Sequence, residues 1–128
     1  MSAPSHLPSP GAVIAAIDED ARNLDTASKE LYKAITKKAD AERAYEQALR
    51  TQLITIFDES KSAGERMPAE DVRKALAHRK IDNKLWADYI VAVAKVEAMT
   101  ARTRAITAAM NGRQSLLAAL RDELRAAT

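Results

Sequence analysis

The chain has 128 residues, a formal charge of +2 and no cysteine. That length fits one domain, the missing thiols exclude disulfides and cysteine-ligated zinc, and so small a charge does not by itself announce a nucleic-acid protein. Alanine occurs 27 times against three glycines and four prolines, so the backbone favours helix nearly throughout. Five Phe, Trp and Tyr residues are too few for a conventional sheet core. No apolar run approaches the roughly 20 residues that span a bilayer, and the N-terminus lacks the basic start and apolar core of a signal peptide. A cytoplasmic protein without a membrane partner is the expectation.

Residues 1–10, MSAPSHLPSP, combine three prolines with three serines and read as an extended, flexible tail. His6 stands alone there, a solvated tail residue rather than a ligand. The rest, 11–128, reads as one helical domain.

A first helix is predicted over about 11–57. Ile17, Leu24, Leu31, Ile35, Tyr45, Leu49, Leu53 and Ile56 recur at helical spacing, which makes an apolar stripe. Ala27, Ala34, Ala41 and Ala48 run beside it and admit a close neighbouring helix. Asn23 to Thr26 is its weakest part. Asp18, Glu19 and Asp20 read as early-turn acids matched to the helix dipole. Metal binding is the poorer reading, because successive helical residues point in different directions. Lys29, Lys33 and Lys37 form a basic ridge that reads as a solvated face.

Asp58 to Arg66 reads as a polar loop broken by Gly64. Pro68 suits the first position of a short helix over about 68–79, with Glu70 and Asp71 in its first turn. Asp82 or Asn83 can cap a final helix over 83–126. That helix carries two heptad rows. Tyr89, Val96, Thr103, Met110, Leu117 and Leu124 form one; Leu85, Ala92, Met99, Ile106, Arg113, Leu120 and Ala127 form the other. Such rows make the seam of a coiled coil or bundle. Continuity of the heptad predicts one helix across Asn111-Gly112. The architecture expected is all-α: two long helices in a hairpin, joined by a loop and a short helix and completed by oligomerisation. The interface candidates are Leu85, Tyr89, Val96, Met99, Ile106, Met110, Leu117, Leu120 and Leu124. The partner helix comes from the same chain or from another copy.

No Ser-His-Asp set, metal-spaced cluster, Gly-rich phosphate loop or Walker lysine is present, so no enzyme and no cofactor are expected. The suggestive feature is the run Arg73, Lys74, His78, Arg79, Lys80 and Lys84, followed by Trp86 and Tyr89. Cations neutralise phosphates and aromatic rings stack on unpaired bases. The competing reading places Trp86 and Tyr89 in the core. Lys95, Arg102, Arg104, Arg113, Arg121 and Arg125 form a second basic set. Arg113 occupies a seam position, where a charge is costly unless paired or hydrated. It reads as a register-setting polar residue in an oligomer or as a phosphate contact at a pore or cleft.

Two segments, Lys38–Ile54 (KADAERAYEQALRTQLI) and Ile106–Leu124 (ITAAMNGRQSLLAALRDEL), resemble small all-helical tailed-phage proteins, the recombination mediators of the UvsY type. Those proteins load a recombinase onto single-stranded DNA coated by single-strand-binding protein, and work as ring-like homo-oligomers. The resemblance implies DNA binding by the Arg79–Trp86 region or by Arg102, Arg104 and Arg113, with self-association through the final helix. The alternative from the residues alone is a structural or adaptor protein of phage assembly or host interaction that does not bind DNA. A hairpin of the type VII secretion kind fits less well, because Trp86-Ala87-Asp88 replaces the W-x-G turn of those proteins.

Overall fold

A computed structural model describes residues 7–127, so the expectations for residues 1–6, His6 included, lie outside it. The described chain is all-α. It contains α1 (Pro10–Ser62), α2 (Glu70–Lys80) and α3 (Asn83–Ala127), with α1 and α3 packed against each other.

Each boundary has a local chemical cause. Ser9 caps α1, its Oγ accepting from the Ala12 N–H at 3.1 Å, and Pro10 takes the first helical position, where no N–H is needed. The predicted end of α1 near Phe57 is too early. Asp58–Ser62 continues the helix, and Gly64, at φ 68°, is what stops it. The Glu65 N–H returns to the Ser60 carbonyl at 3.1 Å and the Gly64 N–H to Lys61 at 3.2 Å, the paired bonds of a Schellman cap. The weak stretch Asn23–Thr26 stays helical. Pro68 lies outside α2, which begins two residues later. His78, Arg79 and Lys80 fill the last turn of α2, where the helix dipole favours cations. Asp82 caps α3 by accepting from the Lys84 N–H at 3.0 Å.

The polypeptide forms two compact units. One joins the start of α1, up to Tyr32, to α3 from Ala98 onward; the other is Lys33–Glu97. In the first, Asp20 pairs with Arg113 and Glu30 with Arg102, so advancing along α1 means retreating along α3: the segments are antiparallel. Val13, Ala27 and Asp20 are buried at their contact. In the second unit, the later parts of α1 and the first part of α3 pack with α2 around Ala34, Ile56, Ala77 and Ile81, all buried.

The α3 heptad rows are the half-buried side of the helix. Leu85, Tyr89, Val96, Met99, Ile106, Met110 and Leu117 are partly covered and Leu120 is buried, while Leu124 is exposed. Those rows therefore meet α1 of their own chain, unit by unit. Thr103, a polar break in the seam, satisfies its hydroxyl internally by donating to the Met99 carbonyl at 2.9 Å. On α1 the row facing inward is the alanine row extended in both directions: Val13, Asp20, Ala27, Ala34, Ala41 and Ala48 are each buried or half-buried.

Helix α3 runs unbroken through Asn111-Gly112. Gly112 is exposed, and an added Cβ there meets nothing within 4 Å. Gly112→Ala is expected to stabilise the protein by about 0.5–1 kcal/mol, the cost of glycine in a helix interior, read as a rise in the midpoint of urea unfolding.

Candidate nucleic-acid interface

In the unit Lys33–Glu97, the end of α2 and the start of α3 meet α1 at an aromatic cluster. Tyr45 of α1 is its hub. Its hydroxyl and His78 Nδ1 lie 2.6 Å apart in a hydrogen bond whose direction follows the imidazole tautomer. Burial pushes the Tyr45 phenol up from its ordinary pKa, which keeps the proton on oxygen. Trp86 packs with its ring centroid 4.9 Å from Tyr45 and 4.9 Å, edge-on, from His78, and it stacks on Tyr89 at 5.9 Å. The helical spacing of Trp86 and Tyr89 puts both on one side of α3, and His78 reaches them from the last turn of α2.

Trp86 is nevertheless 39% exposed. The two readings of this residue therefore divide the ring between them. Its ring packs in the cluster, and part of the residue stays accessible to solvent. Tyr89 is half-buried, closer to a core role.

The basic residues of this unit are not equivalent. Lys74 is held by Glu70 at 3.2 Å, one turn away on α2, and Lys80 approaches Glu59 of α1 at 3.8 Å. Both pairs are well exposed, so salt and water weaken them. The side chains of Arg79 and Lys84 form no ion pair among the described residues and are exposed. Arg73 is half-buried, with its Nε enclosed and lacking a hydrogen-bond partner. Arg79 and Lys84 thus flank the short α2–α3 connection and Trp86 follows in the first turn of α3, while Arg73 lies back near the start of α2 and Lys74 and Lys80 are partly neutralised.

The DNA candidates of the second basic set, Arg102, Arg104 and Arg113, belong to the other unit. Two of these three are committed to carboxylates of α1. Arg102 donates from Nη1 to Glu30 Oε2 at 3.0 Å, and Arg113 donates to Asp20 Oδ2. The Asp20 hydrogen bond, then its charge, with a further contribution from Glu19, hold the Arg113 guanidinium above its ordinary range against partial dehydration. Arg104 alone is exposed and unpaired among the described residues. Arg113 thus has a partner 93 residues away in its own chain, not across an interface between copies as the sequence suggested.

Asp20 corrects the early-turn reading. It lies in the third turn of α1, beyond the reach of the N-terminal dipole, and it is 8% exposed. The signal was present in the sequence: Asp20 is the single charge in the heptad row Val13, Ala27, Ala34, Ala41, Ala48. Tyr45 and its bond to His78 had no comparable signal, because 33 residues separate them.

Among the described residues no group of three His, Asp or Glu side chains is placed to hold a metal ion, and no helix is long and apolar enough to cross a membrane. No family model, curated protein or solved structure matches the chain.

Proposed function

We propose that this is a non-enzymatic accessory protein of phage DNA recombination or replication. It binds single-stranded DNA at the α2–α3 junction, works as a homo-oligomer and engages a recombinase or a single-strand-binding protein. The carrying observation is Trp86. A tryptophan clamped from behind by Tyr45, His78 and Tyr89, yet 39% exposed, offers a rigid face on which an unpaired base stacks. Arg79 and Lys84, free of acidic partners, supply phosphate contacts beside it. Phage recombination rests on the likeness of Lys38–Ile54 and Ile106–Leu124 to the UvsY-type mediators.

A second reading is a structural or adaptor protein without DNA affinity. It draws on the pairing of Lys74, Lys80, Arg102 and Arg113 with carboxylates. It also draws on the exposed apolar residues Ile54, Phe57 and Val72, which suit a protein partner.

Trp86 is the chain's one tryptophan, so its fluorescence reports on the site directly. Titration with a single-stranded oligonucleotide is expected to quench it, with affinity falling as salt rises. Replacing Arg79 and Lys84 by alanine is expected to reduce the slope of log K against log salt by about 0.7 for each lost phosphate contact. No salt-sensitive binding at micromolar protein would leave the adaptor reading.

A further inference from the structure

In the unit Lys33–Glu97, an apolar trough of about 350 Å³ runs between α1 and α3, with Ala92 of the α3 heptad seam at its floor and Ala87 and Val91 at its outer edge. Ala34 and Ala41 form its α1 wall, and Ala87, Val91 and Ala92 its α3 wall. Small side chains on both walls let a further helix come close, and Val91 projects over them at 65% exposure. The neighbouring Ile90 is 45% exposed. Lys37, Asp88 and Lys95 line the rim, and none of the three forms an ion pair among the described residues.

We infer that the exposed line of α3 at the outer edge of this trough is the self-association surface of the protein, and that its occupant is the same α3 segment of a second copy, running antiparallel. The argument is one of register. Ala87, Val91 and Ala94 follow each other at intervals of four and three, which keeps them on one line of the helix. All three are exposed. When two such lines pack antiparallel, Val91 of each copy meets Ala94 of the other. In that alignment the flanking positions bring Asp88 of each copy to Lys95 of the other, twice over by symmetry. A two-fold interface requires such self-complementarity. A heterologous partner would have to supply its own acids and bases in this order. The Lys37 stem lies along the trough with its ammonium free to reach water.

The contact is limited to about four turns of helix, less than the roughly 800 Å² per partner of a standard stable interface. The dimer is therefore weak and concentration-dependent. This surface rests on the self-association in the reading above and is independent of DNA binding. Ala87, Val91 and Ala94 belong to neither heptad row of α3 and are exposed.

The test is sedimentation equilibrium of the full chain without nucleic acid, so its failure is separate from any failure to bind oligonucleotide. Wild type is expected to show a monomer–dimer equilibrium. Asp88→Lys, which sets lysine against Lys95 of the other copy at both contacts, is expected to weaken the dimer roughly tenfold, as is Lys95→Glu. The double variant D88K/K95E is expected to restore it. Both positions are at the surface, and unchanged far-UV circular dichroism confirms that the variants fold. A monomer at every concentration, including one whose trough takes some other helix, overturns the inference. So does a dimer indifferent to the reversals, or one that the double variant fails to recover.

Discussion

Trp86→Ala is expected to weaken single-stranded oligonucleotide binding between about fivefold and 150-fold, the range set by losing one base–aromatic stack of about 1–3 kcal/mol. The same substitution removes a ring that Tyr45, His78 and Tyr89 pack against. Each aromatic pair contributes about 0.5–1.5 kcal/mol beyond its buried area, so the variant also melts at a lower temperature. Affinity must therefore be measured by anisotropy of a labelled oligonucleotide well below the melting transition. Trp86→Phe separates the two losses. It keeps a ring in the cluster and a face for stacking, and should retain most of the affinity. If Trp86→Ala binds as tightly as wild type while melting earlier, the ring serves packing alone and the nucleic-acid site is elsewhere or absent.

Ala27→Leu is expected to cost about 1–3 kcal/mol of stability, the usual penalty for overfilling a close contact, with a fall in Tm of roughly 3–10 °C. Ala27 is fully buried, and it sits on the inward row of α1 between Asp20 and Ala34. A larger side chain there pushes α3 outward and strains the nearby Asp20–Arg113 and Glu30–Arg102 pairs. Leucine is nearly as good a helix former as alanine, so helix propensity does not account for the loss. Ala39→Leu is the control. Ala39 is exposed on the same helix, and its replacement should leave Tm within a degree or two. An Ala27→Leu protein as stable as wild type would mean that α1 and α3 do not approach through the alanine row.

These two expectations mark what could be read locally and what could not. Helix content, the Asp82 cap, the unbroken run across Gly112 and the two heptad rows of α3 all follow from contacts within a turn or two along the chain. Local contacts of this kind leave their pattern in the sequence. The end of α1 was misplaced because polarity suggested a loop at Asp58, whereas a helix tolerates Asp, Glu, Ser and Lys on an exposed face. Only the positive φ of Gly64 forces the stop.

The choice of face on α1 is a different kind of fact. Two rows competed for the interior, one of leucine and isoleucine and one of alanine. Hydrophobicity alone favours the bulkier row. The structure buries Ala27 and Ala34 of the alanine row and Ile56 of the other, half-buries Ile17, Leu24, Leu31, Leu49 and Leu53, and leaves Ile35 about half exposed, so parts of both rows are covered. The same pairing decided the charges. Asp20 and Arg113 each look anomalous in a seam, and neither names its partner, since 93 residues of chain separate them. The sequence by itself determined the helices and the stripe on α3. Tertiary structure alone decided how the two rows of α1 share the contact, which arginines are neutralised there, and that Trp86, packed by Tyr45, His78 and Tyr89, stays 39% exposed. Those outcomes depend on how two helical surfaces fit in space, a property of the pair that neither helix carries in its own periodicity.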